Sequence, residues 1–135
     1  MHRVVLDTNI LVSGIGWAGA PGRIISKWIE GKLILVESPA LLNEFLEVIR
    51  DEKFDFLDRE DIDEFYRILV ERADVVEPAF RVDIIRDDDT DNRVIECALA
   101  GRAGFIISGD LHLLRLGGFA GVRVVTARQM NEIMP

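Results

Sequence analysis

The chain is 135 residues long, 49% hydrophobic and 30% charged, which suits one compact domain with its own core, spanning 1–135, and excludes a disordered chain. Its apolar runs are short and broken by charge, so none reaches the roughly 20 residues of a membrane-spanning helix. A formal net charge of -8 argues against a protein that grips nucleic acid through a broad basic surface. Met1 to Leu6 lack the long apolar region and cleavage site of a secretory signal. The single cysteine, Cys97, builds no disulfide framework, so a reducing cytoplasm is the expected location.

Val4, Val5 and Leu6 form a β-branched and apolar run that stops at Asp7, which predicts a strand buried on both faces with its carboxyl end at the aspartate. Gly14 and Gly16 break the next apolar residues too often for a long helix. A better helix opens at Pro21 and Gly22, carries Ile24, Ile25, Trp28 and Ile29 on one face, and ends at Gly31. Leu33 to Val36 is a second strand. Ser38 and Pro39 make the cap and first turn of a helix with Leu41, Leu42, Phe45, Val48 and Ile49 at helical spacing. A further helix runs from about Asp61 to Arg72, and Val75 to Val76 is a third, short strand before Pro78.

The acidic, turn-like stretch Arg86 to Asn92 leads into a helix with Val94, Ile95, Ala98 and Leu99 on one face, closed by Gly101 or Gly104. Phe105 to Ile107 is a buried strand ending at Ser108, Gly109 and Asp110. A last strand, Val122 to Val125, meets Thr126 as the cap of a final helix through Met130 and Ile133. Strands alternating with helices imply an α/β fold: a three-layer α/β/α sandwich on a mainly parallel sheet of about five strands with right-handed crossovers. In such sheets, sites form beyond the carboxyl ends of strands where the strand order reverses. If the strands ending at Asp7 and Asp110 lie side by side about that reversal, their carboxylates face one crevice.

Each candidate acid also has an ordinary reading. Asp7 and Asp110 are strand-end carboxylates and equally good turn-formers. Asp91 turns by about 100° per residue onto the arc of Val94, Ile95 and Ala98, so it points towards the core; it, or Thr90, also suits the helix cap. Glu44 stands at the edge of its helix's apolar face, where a boundary glutamate is common. Three or four carboxylates converging in one crevice repel one another unless cations are bound. Oxygen ligands favour magnesium or manganese, and no Cys/His cluster is present to hold a softer metal. Carboxylate-held magnesium typically acts on phosphate esters.

Two other classes remain in view. Aspartyl-phosphate chemistry also uses a strand-end aspartate, but Asn9 stands where a second aspartate is needed, and no lysine follows the last strand. The alternative without turnover is a catalytically weak or inactive module binding RNA or protein, with Phe54, Phe56 and Leu57 as either docking residues or satellite core. His112 reads as a structural or solvated histidine, and Cys97 as a small packing residue.

At this point the residues resemble a known family. Val5-Leu6-Asp7-Thr8-Asn9-Ile10-Leu11-Val12-Ser13 resembles the opening of PIN domains; Glu44-Phe45, Asp91-Asn92 with Ile95-Glu96-Cys97-Ala98, and Ile106-Ile107-Ser108-Gly109-Asp110 with Leu113-Leu114 resemble the later acidic positions. The resemblance runs from Arg3 to about Glu132 and is strongest to the branch of toxins related to VapC-type proteins. It implies a magnesium- or manganese-dependent ribonuclease acting on single-stranded or structured RNA, with Asp7, Glu44, Asp91 and Asp110 as catalytic and metal-binding residues, supported by Asn9 and Ser108. It further implies a homodimer and a small antitoxin partner, whose basic segment suits the acidic crevice. Two positions depart from the pattern: His112 stands where many relatives have another aspartate, and Asp89 where many have proline.

Overall fold

The apolar run beginning at Arg3 becomes the centre of a parallel sheet. In the computed structural model, which describes residues 1–85 and 88–135, β1 (Arg3–Leu6) pairs in parallel with β2 (Ile34–Glu37) on one side and β4 (Phe105–Ile107) on the other. Beyond β2 lies β3 (Asp74–Val75), and beyond β4 lie β6 (Val122–Val125) and β5 (Gly118–Phe119), for an order of β3-β2-β1-β4-β6-β5. Strand order therefore reverses between β1 and β4. Arg86 and Asp87, where the predicted acidic turn begins, lie outside the described residues.

Side chains alternate across the sheet as strand geometry requires. Val4, Leu6, Leu35, Ile107 and Val125 belong to a core shared with α1 (Thr8–Ser13), α2 (Gly19–Ile29), α4 (Arg59–Arg72) and α7 (Ala127–Ile133). Val5, Val36, Ile106 and Val124 face the opposite way, into a core built with α5 (Asp89–Ala100) and α6 (Leu111–Leu116). Between β2 and α4, α3 (Pro39–Val48) sends Phe45 into the first core and Leu41 into the second. Phe45 stacks on Phe65 and Tyr66 of α4 at 5.9 and 5.7 Å between ring centres. This double anchorage holds α3 against both α1 and α5 at the carboxyl end of the sheet.

The three layers match the sequence expectation, with local differences. The sheet has six strands, not about five: β5 is a two-residue strand antiparallel to β6, returned by Ala120 and Gly121 at φ 45° and 85°. Such a hairpin turn has no apolar run to announce it. Helix α2 starts at Gly19, ahead of Pro21, because proline is tolerated in a first turn that needs no amide donor. Gly22 is obligatory there, since a Cβ would lie 2.2 Å from the carbonyl carbon of Trp17. Helix α4 starts at Arg59, capped by the Asp58 carboxylate, and β3 sits one residue earlier than predicted. Asp88, not Thr90 or Asp91, caps α5. Of the three apolar residues near the α3–α4 connection, Phe54 is buried, Leu57 half-buried and Phe56 exposed.

One buried acid lies inside the core. Glu37 ends β2 with both carboxylate oxygens buried and without a hydrogen-bond partner among the described residues. Burial pushes its pKa from 4.5 up to about 8, only partly opposed by the Ser38 backbone amide. In the folded chain Glu37 therefore keeps its proton to about pH 8, whereas the unfolded chain releases it above 4.5. Stability is thus fully retained below pH 4.5 and falls as pH rises towards 8, by at most about 1.4 kcal/mol per pH unit. Thermal melts of wild type and Glu37→Gln from pH 5 to 8 should converge at the acid end and diverge in favour of the variant at the alkaline end; a constant offset would refute this.

Candidate metal centre

Asp7 leaves the end of β1 and caps α1. Its backbone amide still continues the β1–β4 ladder, donating to the Ile107 carbonyl at 2.9 Å, so its side chain is set beside the end of β4. There Ser108 Oγ donates to Asp7 Oδ2 at 2.7 Å and accepts from the Asp110 backbone amide at 2.9 Å. The Asn9 amide donates to Asp7 Oδ1 at 3.4 Å. Ser108 is wholly buried. It thereby ties the two strand-end aspartates to one another across the reversal.

Asp110 caps α6, accepting from the His112 amide at 2.8 Å and the Leu113 amide at 3.4 Å. Asp88 caps α5 by accepting from the Asp91 amide at 3.0 Å. Asp91, in the first turn of α5, is buried, and its Oδ2 has no hydrogen-bond partner among the described residues. Glu44 of α3 closes the opposite wall. These residues, with Thr8, Asn9, Val48 and Thr90, line a cavity of about 190 Å³. Potential ligand atoms of Asp88, Asp91, Asp110 and His112 lie within 4.8 Å of one another.

Charge crowding shows in the proton affinities. Asp91 is pushed up to about 8, first by loss of hydration and then by repulsion from Asp110, Asp88 and Asp7. Burial raises Asp7 as well, against the opposing hydrogen bonds of Ser108 and Asn9. Glu44 is raised by burial, then by Glu47, Asp7 and Asp88.

The four acids singled out in the sequence, Asp7, Glu44, Asp91 and Asp110, thus line one cavity. Ser108 bridges two of them, whereas Asn9 contributes its backbone amide to Asp7 and lines the mouth with an exposed side chain. Asp88 was missed as a member of the group. Its signal was present, because a residue three before Asp91 at a helix start lies one turn away on the same side. His112 is exposed but stands close enough, its Nδ1 3.8 Å from Asp110 Oδ1, to join the group. Cys97 is buried in the second core, away from the acids.

Comparison with known proteins decides the family. The PIN domain family model matches residues 3–112. The chain belongs to the PIN domain family. PIN domains are generally metal-dependent nucleases. Among solved structures, a chain of VapBC2 from Rickettsia felis bound to a DNA fragment from their promoter shares the fold, with a TM-score of 0.59 and 13% identity over 92% of this chain and 98% of that one. No curated protein matches the sequence. Among the described residues, no helix of this PIN domain is long and apolar enough to cross a membrane.

The PIN-domain acids fit a hard divalent cation. All but one of the clustered donors are oxygens, the carboxylates raise one another's proton affinity, and Asp91 offers a buried oxygen that no donor among the described residues satisfies. A divalent cation bound there should therefore stabilise the folded chain, by about 2.7 kcal/mol at a hundred times its dissociation constant. Thermal melts with and without metal should show a rise for wild type that Asp91→Asn and Asp110→Asn lose. An equal rise in all three proteins would place the metal elsewhere.

Proposed function

We propose that this PIN domain is a metal-dependent endoribonuclease that hydrolyses RNA phosphodiester bonds, and that it is the toxin of a toxin–antitoxin pair. The reading is carried by one observation: Asp7, Asp91, Asp110 and Glu44 line one cavity at the reversal of strand order, where the buried Asp91 Oδ2 has no partner among the described residues. Asp91 and Asp110 would hold the ion with Asp7, and with Glu44 as the fourth carboxylate; Asp88 and His112, whose donor atoms lie within 4.8 Å of those of Asp91 and Asp110, are further candidate ligands. Magnesium or manganese, once bound, supplies the Lewis acidity that phosphodiester hydrolysis requires. Ser108 holds the Asp7 carboxylate and the Asp110 backbone in a fixed relation, and Asn9 lies where it meets a phosphate entering the cavity.

Labelled RNA incubated with magnesium should be cut by wild type, with Asp7→Asn and Asp91→Asn each slower by more than about a hundredfold, as the loss of several kcal/mol of charge stabilisation requires. Undiminished cleavage by both variants would reject the assignment.

A shared fold with a chain of the VapBC2 complex supports an antitoxin partner for this protein; the family resemblance extends the reading to a homodimer, and the single cysteine to a cytoplasmic location. The acidic cavity suits a basic antitoxin segment, because a cation among the clustered carboxylates relieves their repulsion. Co-expression with the product of a neighbouring short reading frame should yield a complex whose affinity falls when the basic residues of that product are neutralised. Failure to form a complex would remove the antitoxin from this reading and leave the nuclease.

A further inference from the structure

The acidic cavity opens onto a longer cleft. Glu44 and Thr90 line both the metal centre and an adjoining cavity of about 290 Å³. Ala40, Arg81 and Arg93 are shared between that cavity and a third of about 170 Å³, which ends against Pro78 and Phe80. The outer wall is the irregular segment that follows β3, and α5 pins it in place. The Val82 amide donates to Glu96 Oε2 at 2.8 Å, Arg93 Nη2 donates to the Val82 carbonyl at 3.1 Å, and Asn92 Oδ1 accepts from the amides of Ile84 and Ile85 at 3.0 and 2.9 Å. Arg93 is committed to Glu96, 2.8 Å away. Arg81 is exposed and in no ion pair among the described residues, and the neighbouring Phe80 ring is 44% exposed.

Glu77 and Asp89 also border this cleft, so its net charge alone attracts no anion. What distinguishes it is an exposed aromatic ring followed directly by an exposed guanidinium, on a wall whose backbone is held by the side chains of Asn92, Arg93 and Glu96 and which is continuous with the carboxylate centre. An aromatic face beside a cation takes a stacked base and its phosphate together, the pairing used by proteins that hold single-stranded nucleic acid. A base inside a duplex has both faces covered by its neighbours and cannot lie on such a ring.

We propose that Phe80 and Arg81 form a track for single-stranded RNA leading to the metal centre, with a base stacked on Phe80 and its phosphate held by Arg81. The proposal rests on the ribonuclease reading above and adds to it the residues that hold the strand outside the carboxylate centre.

Equilibrium binding of a fluorescein-labelled single-stranded RNA to the full chain carrying Asp91→Asn tests it. Adding Phe80→Ala should weaken binding about tenfold, and Phe80→Trp should restore it. Adding Arg81→Ala should weaken binding and reduce the slope of log affinity against log salt by about 0.7. A blunt duplex should bind more weakly and respond to neither Phe80 substitution. Binding that ignores Phe80→Ala and Arg81→Ala, or a duplex held as tightly as the single strand, overturns the track, while RNA cleavage by wild type would still uphold the metal-centre reading. Single-strand binding that depends on Phe80 in a chain whose wild type cuts no RNA upholds the track and sinks the nuclease. If the two substitutions abolish antitoxin association and leave RNA affinity intact, the cleft is a protein-docking surface and the proposal falls.

Discussion

Parallel pairing of β1 with β4 is the constraint on which the rest of the site depends. The register sets Leu6 opposite Ile107, so both strands end at the same level and release Asp7 and Ser108 side by side. Without that alignment Ser108 could not reach Asp7 while accepting from the Asp110 amide. Residues 101 positions apart in sequence are thus brought within a 2.7 Å hydrogen bond. Burial on both faces makes the alignment robust, because slipping the register by one residue would exchange Val4 and Leu6 with Val5 between two separate cores.

Carboxylates gathered this way oppose folding unless something else holds them. Asp7, Asp88 and Asp110 are each held by helix capping: each accepts from backbone amides that would otherwise lack partners. Asp91 lacks that compensation for its Oδ2. The contrast with Glu37 is instructive, since both acids are raised to about 8. Glu37 is sealed between packed elements and meets its burial by keeping a proton. Asp91 opens onto a cavity lined by other acids, where a cation can meet the same demand.

Helix α5 serves the site on two sides at once. Its first turn delivers Asp91 to the cavity, and the adjacent Asn92, Arg93 and Glu96 fasten the segment ending at Ile85. Polar residues buried along that helix are therefore scaffolding for the cleft wall. Helix α3 plays the matching role opposite, because Phe45 and Leu41 anchor it in both cores and leave Glu44 directed between α1 and α5.

The sequence by itself determined the alternation of strands and helices, the strand-end positions of Asp7 and Asp110, the inward direction of Asp91, and the Ser38 and Thr126 caps. These follow from spacing, burial preference and local hydrogen bonding, which are encoded within a few residues. It left undecided whether the two aspartates share a crevice, and it did not announce the track of Phe80 and Arg81. Those depend on strand order and on hydrogen bonds between distant segments, such as Ser108 to Asp7 and Val82 to Glu96. Glu37 shows the limit most clearly: beside Ser38 in the sequence it is an ordinary acid, and only packing in the folded chain makes it a buried one.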